Sequence, residues 1–425
     1  MKRFLPGLRK SRIVKILIIS LTIRLVLLPW SFHSDLTNND IWGIYAREFG
    51  LRGFYDWLNF GNYARPDYPP LAMVLFLIIR NVWKFVFDIL WFLNVQIDVF
   101  PSELVSWFDV WGNRLLIKLP GVLADLGIGY LIYKIVKKEG KESRAVYIAK
   151  LYLFNPAVIY LSASWGQLDS VVSLFALVSI YLLLAKKYYL SLGNYFVSIF
   201  IKATFAPLAI VIFLQSVRQK IKLKEIIISV LLLALGLWII GYFFTDKNYL
   251  EWTVKMYLYK ILPGAVTLPY INLNAFNFWG LVLGMERIKD EVVYGGLPLS
   301  WWAYLISLGL IILVLKKFWQ GANVYFTVLI LYLTIFMFFP RVHERYLFPV
   351  MVFFPIVLSK YSRLTNVFYI ISGVFLINLY HFWWMPEISL LVHFFDWEIT
   401  ERTLSFINLI SFIILFRSFL KDVKS

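Results

Sequence analysis

Four charged or titratable side chains lie close together in the segment FPRVHERYLFP (339–349), between two apolar stretches: Arg341, His343, Glu344 and Arg345. On an extended strand Arg341, His343 and Arg345 alternate onto one face, and on a helix Arg341 and Arg345 are neighbours at i and i+4. Either geometry predicts two guanidinium groups side by side, which suits the oxygens of a phosphate. Glu344 is placed to hold one of them. Binding of lipid headgroups and a purely structural ion pair remain alternatives.

Aspartates in two polar segments are candidates for acid–base chemistry. Asp35 follows the first apolar stretch, where a carboxylate can accept the proton of a hydroxyl and make it a nucleophile. The residues around it are typical of helix N-caps, so a capping role is the alternative. In RPDYPPL (65–71) the prolines hold Tyr68 in an extended conformation and open the next helix. Asp67 is either a functional carboxylate or a cap of that helix.

Two further segments place polar groups beside apolar stretches. In FNPAVIYLSASWGQLDSV (154–171), Trp165 suits a membrane interface, Gln167 can hydrogen-bond a sugar hydroxyl, and Asp169 can cap the following helix. A tight turn with a cap and an aromatic anchor is the alternative. Lys202 stands in SIFIKATFAPLA, where a lysine in hydrocarbon is costly. We therefore expect it to face a cavity, as a phosphate ligand or in a structural ion pair.

The composition predicts a polytopic, all-α membrane protein. Of 425 residues 60% are hydrophobic, and the mean hydropathy of +0.73 is too apolar for a soluble protein of this size. Several stretches reach the roughly 20 residues that a helix needs to cross the bilayer. The chain has no cysteine, which excludes thiol nucleophiles, disulfides and thiolate metal sites. The sequence contains no P-loop, zinc motif, GxGxxG fingerprint or Asp-x-Asp pair.

The formal charge of +17 is explained by topology rather than by nucleic-acid binding, because most basic residues fall in short loops between apolar stretches. The basic start, MKRFLPGLRKSRIVK, leads into a retained first helix. The pattern places both termini in the cytoplasm and the segments 165–169 and 339–349 outside. Cations outside do not serve topology, so the 339–349 cluster is expected to have another role.

Two large external loops are predicted, 31–112 and 245–298, in a single membrane-embedded domain covering 1–425. The first loop contains an interfacial helix at 71–92, whose Arg80 and Lys84 form a polar edge. We expect about twelve spans, with a range of about 11–13. They are predicted at 13–30, 113–136, 145–163, 169–186, in two short helices within 188–217 that meet near Lys202, and at 225–244, 299–316, 323–340, 346–360, 364–383 and 402–418.

This topology places polar groups from five stretches of sequence on one, external face, as an active site requires. They are Asp35, Asp40, Asp67, the turn 165–169, Asn274, Asn277 and the cluster at 341–345.

Motifs in the same order resemble the GT-C superfamily of membrane glycosyltransferases that use polyprenyl-phosphate sugars. They run from residue 35 to residue 349: SD, GFYD and DYPPL in the first loop, then KLPGVLADL (118–126), NPAVIYLSASWGQLDS, NAFNFWG (274–280) and HERYLFP (343–349). The likeness is greatest to prokaryotic mannosyltransferase-like members, which are similar in turn to the glucosyltransferases of the eukaryotic N-glycan pathway. The His-rich luminal signature of those eukaryotic enzymes has no clear equivalent here.

The resemblance implies a catalytic base in the first external loop, Asp35, with Asp40 as the reserve candidate. It implies that His343 and Arg345 hold the donor phosphate, with Arg341 and Lys202 as further candidates. Transfer is expected to be inverting and metal-independent, without a cofactor. It moves a hexose, mannose or glucose, from a polyprenyl-phosphate donor to a glycan, glycolipid or protein acceptor on the external face of the cell membrane. A transporter or lipid flippase is the alternative, and a non-catalytic lipid-binding scaffold is a third.

Overall fold

A computed structural model describes residues 12–56, 60–261 and 268–422. It shows an all-α, multi-pass membrane protein with almost no strand. Most of the basic start and the last three residues, to which the sequence assigns a cytoplasmic location, lie outside the described ranges. Which membrane side each terminus occupies stays a prediction.

Most of the predicted helices begin and end within a few residues of the predicted bounds, and the structure adds short helices that were not predicted. They are α1 Arg12–Leu27, α2 Ser34–Glu48, α3 Pro70–Gln96, α4 Ser102–Glu139, α5 Glu142–Leu153, α6 Pro156–Ile159, α7 Asp169–Leu184, α8 Tyr188–Ile201, α9 Leu208–Arg218, α10 Leu223–Phe244, α11 Tyr249–Met256, α12 Phe278–Leu283, α13 Leu299–Trp319, α14 Val324–Phe338, α15 Phe348–Leu358, α16 Thr365–Trp383, α17 Ser389–Phe395 and α18 Glu398–Leu420.

Six described helices are long and apolar enough to cross a membrane, or seven if α5 and the segment Pro156–Trp165, bent by 51°, form one span. Four shorter apolar helices are α7, α8, α9 and α14. Eleven of the twelve predicted spans coincide with one helix each, including the short pair α8 and α9, which meet at Lys202 as expected. The span predicted at 145–163 is instead divided among α5, α6 and the helical turn that follows α6. The interfacial helix predicted at 71–92 is α3, which is not among the six.

Helix α4 begins earlier than the sequence predicts. The expected span was 113–136, but one helix of 38 residues runs from Ser102. At 1.5 Å per residue it is about 57 Å long, nearly twice the thickness of the hydrocarbon core. Its first turns carry Glu103 and Asp109 and pack beside α3, where Trp83 Nε1 donates to the Phe108 carbonyl at 3.2 Å. Part of the first loop is therefore a helical extension of a membrane helix.

The core lies between α14, α15 and the helices around them. Every residue of α15 is buried, whereas α10 and α13 expose most of their apolar side chains, as helices facing lipid do. Two short segments join at one end of this bundle. Strand β1 (Asn272–Leu273) pairs in parallel with β4 (Val342–His343), and Arg341 N donates to Ile271 O at 3.1 Å. The second predicted loop is thereby fastened to the 339–349 segment. A second, antiparallel pair, β2 (Val293–Tyr294) and β3 (Leu297–Pro298), precedes α13.

Candidate active site

Asp35 is the second residue of α2, where the partial positive charge of the helix N-terminus favours a carboxylate. The residue that caps this helix is His33. Its Nδ1 accepts a hydrogen bond from the Asp35 backbone N at 3.0 Å, so that nitrogen carries no proton. Burial lowers the pKa of His33 to about 4, and the imidazole is neutral at physiological pH. Its ring stacks on Trp165 with centroids 4.3 Å apart.

The Asp35 carboxylate has two fixed donors and an open side. Its Oδ2 accepts from Gln167 Nε2 at 2.5 Å and from Trp165 Nε1 at 3.3 Å, and the side chain is 34% exposed. Burial alone would raise the pKa of this carboxyl, but the charge of Arg345, with the Trp165 hydrogen bond, brings it below its usual value. The group is therefore ionised at neutral pH and accessible to a ligand.

The turn that carries Trp165 and Gln167 owes its shape to an irregular backbone. A π-helical turn, Tyr160–Trp165, ends at Gly166, whose φ of 87° lies in the left-handed region. A Cβ at Gly166 would lie 2.8 Å from the side chains of Leu36 and Lys118, so only glycine fits there. The turn thus packs directly against the beginning of α2 and aims both donors at Asp35.

Tyr68 connects this turn to the segment before α3. Its hydroxyl donates to Gln167 Oε1 at 3.4 Å, and its backbone carbonyl accepts from Tyr55 Oη at 2.6 Å. The neighbouring carboxyl, Asp67, is exposed on one side, yet the protein packed around it raises its pKa above the usual value, although Arg345 lowers it. Asp35 and Asp67 are therefore two carboxyls with opposite pKa shifts in one site.

Lys202 lies at the break between α8 and the short 3₁₀ turn Ala203–Phe205. Its Nζ pairs with Asp169 Oδ2 at 2.8 Å, both side chains being nearly buried, and it lies 5.5 Å from the centroid of the Tyr68 ring. Asp169 begins α7 without capping it. Asp169 was expected to cap α7, but it forms an ion pair with Lys202 instead. A lysine that is shielded from water needs a carboxylate partner.

Arg345 supplies the central positive charge. Its Nη1 pairs with the fully buried Glu344 at 3.1 Å, as the sequence suggested for one arginine. Burial alone would lower the pKa of this guanidinium, yet Glu344 and then Asp35 raise it above its usual value. Within the described part of the chain its Nε has no hydrogen-bond partner. Arg345 is therefore always charged and has donor capacity to spare.

We call these groups the Asp35 cluster. Its members come from five stretches of sequence and share hydrogen bonds, ion pairs or electrostatic interactions: Asp35, Asp67, Tyr68, Trp165, Gln167, Asp169, Lys202, Glu344 and Arg345.

Three predicted site residues have other surroundings. Asp40 turns away to α4, where it accepts from Asn113 Nδ2 and lies 3.5 Å from Arg114 Nε. Five residues along a helix is nearly one and a half turns, so Asp35 and Asp40 cannot share a face. His343 belongs to β4, and its Nδ1 lies 3.8 Å from Glu344, within ion-pair distance but too far for a hydrogen bond, so it borders the Asp35 cluster through Glu344.

The predicted pair of guanidiniums from Arg341 and Arg345 is wrong. Arg341 has a φ of 61°, and its guanidinium binds Asp290 with contacts of 2.7 and 3.3 Å. After β4 the chain enters a 3₁₀ turn, Glu344–Leu347, so neither a continuous strand nor a continuous helix relates the two arginines. Arg341 fastens the second loop instead.

Sequence reasoning missed His33 and Lys118. His33 precedes the SD motif directly, and a titratable residue two positions from a proposed base was a signal for it. Lys118 was hidden in an apolar helix. Its fully buried Nζ donates to the carbonyls of Leu28, at 2.8 Å, and Ser31, the segment that leads from α1 to Asp35.

A largely apolar cavity of about 440 Å³ opens beside this segment. Its polar edge is formed by Ser31, four residues before Asp35, and by Ser164, which precedes Trp165. Its wall includes Trp30 and Tyr160. The remaining lining is Ile23, Leu27, Pro156, Ile159, Leu376, Met385 and Pro386. An apolar chain fits such a cavity.

Metal-ligand geometry occurs elsewhere. Among the described residues, His381, Asp396 and Glu401 form a group whose ligand atoms all lie within 4.8 Å of one another. These residues belong to the ends of α16, α17 and α18 and not to the Asp35 cluster.

Comparison of the sequence with protein-family models and with curated proteins gives no match for this chain. The membrane architecture and the geometry of the Asp35 cluster are therefore what a functional assignment rests on.

Proposed function

We propose that the protein is an inverting glycosyltransferase that moves a hexose, mannose or glucose, from a polyprenyl-phosphate carrier to an acceptor hydroxyl. The observation that carries the proposal is that an accessible, ionised carboxylate, Asp35, interacts electrostatically with a charged arginine, Arg345. The Nε of Arg345 has no hydrogen-bond partner among the described residues and is free to donate. A base beside fixed cations is what transfer from a sugar phosphate needs.

In the proposed reaction Asp35 accepts the proton of the acceptor hydroxyl. The acceptor oxygen forms a bond to the anomeric carbon while the bond from that carbon to the phosphate oxygen breaks on the opposite face. The electron pair of the broken bond stays on the phosphate, so the donor's singly charged diester leaves as a doubly charged monoester. The leaving group gains a negative charge and needs no proton.

Arg345 and Lys202 are the groups that we assign to this developing charge. Lys202 is buried and Arg345 is 14% exposed, and both are already paired, Arg345 with Glu344 and Lys202 with Asp169. They are therefore held in place before the donor arrives. Fixed cations in a water-poor site stabilise charge more strongly than mobile ones in water. Tyr68 is partly exposed and available for contact with a sugar ring. Trp165, expected to contact the sugar as well, is fully buried between His33 and Phe382, and together with Gln167 it orients Asp35.

Partners and location follow from the same proposal. The donor enters from the lipid, the acceptor is a glycan, glycolipid or protein, and the bilayer itself is a partner. The active site lies on the external face of the cell membrane, with both termini in the cytoplasm, and the transfer step needs no metal.

A transporter or lipid flippase is the second candidate. The break at Lys202 and the 51° bend between α5 and Pro156–Trp165 are interruptions of the kind that line transport pathways. The polar groups of a transporter are expected near the midplane, whereas Asp35, Asp67 and Arg345 lie at ends of helices or between them.

The deciding experiment compares wild type with Asp35→Asn in reconstituted membranes, using radiolabelled polyprenyl-phosphate sugars. D35N should abolish both sugar transfer and the slow hydrolysis of the donor, while leaving donor binding intact. Asp98→Asn is the matched control, since it removes an exposed carboxylate from elsewhere in the same predicted external loop, 31–112. Asp40→Asn tests the reserve base directly. Normal turnover by D35N would refute the assignment, and labelled lipid changing leaflets without donor consumption would support the flippase.

A further inference from the structure

Three potential metal ligands meet where the last helices of the chain approach one another. His381 is in the last turn of α16, Asp396 directly follows α17, and Glu401 is in the first turn of α18. His381 and Glu401 are buried, whereas the Asp396 side chain is 68% exposed. One side of the group is therefore fixed in the bundle and the other is open to solvent.

The distances between these donors match a small metal ion. His381 Nε2 lies 2.9 Å from Glu401 Oε1 and 3.9 Å from Asp396 Oδ1. Zn²⁺ binds histidine nitrogen and carboxylate oxygen at about 2.0–2.2 Å, so tetrahedral ligand atoms are separated by about 3.3–3.5 Å. The two observed distances lie on either side of that range. Only small movements, chiefly of the exposed Asp396, are needed to reach it.

The two carboxylates beside His381 also favour a bound cation. Two carboxylates face one imidazole here, and among the described side chains no lysine or arginine lies within ion-pair distance of Asp396 or Glu401. The nearest arginine in sequence, Arg402, is occupied by Glu398 at 2.7 Å and by the Leu281 carbonyl at 2.6 Å. A buried carboxylate is normally paired or bound to metal. A divalent ion balances this pair of acids.

We propose that His381, Asp396 and Glu401 bind a divalent transition-metal cation, with Zn²⁺ as the best fit, and that this ion ties the segment 384–397 to the helix bundle. A nitrogen ligand with two carboxylates favours Zn²⁺ or Mn²⁺ over the hard ions Mg²⁺ and Ca²⁺. The three donors leave a fourth position for water. The ion is structural, so the proposal does not alter the metal-independent transfer step.

The first residues of the segment that the ion would hold are fastened by hydrogen bonds of Tyr160 and Tyr380 to Met385, Pro386 and Ile388, but the following helix is exposed. Helix α17 has no buried residue, and its Leu390 and Phe394 are exposed. The same region borders the Asp35 cluster, because Trp383 packs edge-on against His33 with ring centroids 5.0 Å apart and Tyr160 Oη donates to Met385 O at 2.7 Å. Fixing Asp396 therefore orders a segment next to the site.

The test is metal binding by the purified full-length protein in nanodiscs, with any affinity tag removed and after treatment with EDTA. Isothermal titration with ZnCl₂, MnCl₂, MgCl₂ and CaCl₂ measures stoichiometry and affinity. Glu401→Gln and Asp396→Asn remove one ligand charge each with little change of shape, and the exposed Asp396 keeps the test open if E401Q folds poorly. His393→Ala and Glu387→Gln are the controls, because both residues are exposed in the same segment and outside the group.

We expect one Zn²⁺ per chain and a loss of affinity of at least roughly 10–100-fold in E401Q and D396N, with the two controls unchanged. At free Zn²⁺ about 100 times Kd, amide exchange in 384–397 should slow by up to about 100-fold. Absence of saturable Zn²⁺ binding overturns the proposal. The proposal is also overturned if E401Q and D396N both bind Zn²⁺ as tightly as wild type does, or if wild type binds Ca²⁺ as tightly as Zn²⁺. Loss of Zn²⁺ binding in H393A would overturn it too.

Discussion

Replacing Lys118 by Met tests whether hydrogen bonds from α4 hold the segment before Asp35 in place. Lys118 is fully buried in α4, and its Nζ donates to the carbonyls of Leu28 and Ser31. Met keeps the apolar stem and removes the donors. Each buried carbonyl left without a partner costs about 1–3 kcal/mol, so K118M should lose about 2–5 kcal/mol of stability after the desolvation of the ammonium is recovered.

The same variant should lose activity by more than its stability requires. A displacement of a catalytic group by about 1 Å can cost on the order of 100-fold in rate, and the released segment ends only four residues before Asp35 at Ser31. We therefore expect kcat for sugar transfer to fall by about 100-fold in folded K118M at a temperature well below its Tm, with the donor KM nearly unchanged.

Two measurements separate these effects: Tm in detergent, followed by tryptophan fluorescence, and single-turnover transfer on the folded fraction. Lys134→Met is the matched control, since Lys134 is on the same helix, exposed, and in contact only with the face of Tyr181 at 5.5 Å. K134M should change stability by less than about 1 kcal/mol. If K118M has the Tm and kcat of wild type, Lys118 does not hold the segment and the reasoning is refuted.

Two other predictions concern the charges of the Asp35 cluster. Because Arg345 lowers the pKa of Asp35, wild-type kcat/KM should stay level as pH falls toward 3.8, the usual pKa of an aspartate. Arg345→Gln should raise the pKa of Asp35 and so move the acid limb of the pH profile to higher pH. If the limb does not move, Arg345 does not control the pKa of Asp35. Lys202→Met leaves Asp169 buried without a partner and should cost about 3–5 kcal/mol. Adding Asp169→Asn should restore part of the Tm but no transfer activity, whereas recovery of both would make Lys202 purely structural.

Much of the fold can be predicted from the sequence because hydrocarbon imposes strong rules. Long apolar stretches must be helical, since no water is present to satisfy the backbone, and basic loops mark one side. The break at Lys202 was predictable for the same reason. The early start of α4 was not, because 102–112 contains acids and aromatic residues that fit a surface loop as well as a helix.

The residues of the site could be predicted from their types, but the partner of each residue could not. Asp35, Gln167, Lys202 and Arg345 could be chosen as polar groups in costly places, and the structure brings them together. Which acid each cation takes depends on tertiary contacts. Arg341 has Asp290 as its partner only because β1 and β4 join two distant segments, and a strand of two residues leaves no signal in the sequence.

The members of the Asp35 cluster share one local property, which explains where the site formed. They lie at interruptions of helices: the start of α2, the π turn before Gly166, the break after α8 and the 3₁₀ turn at Glu344–Leu347. Backbone that leaves the helix inside a membrane protein must be satisfied by side chains or by water in a cavity. Several of these polar side chains, such as Lys202 and Glu344, are then already buried and held in place by a partner. The site that we propose for phosphate binding and for proton transfer to Asp35 lies where several such interruptions meet.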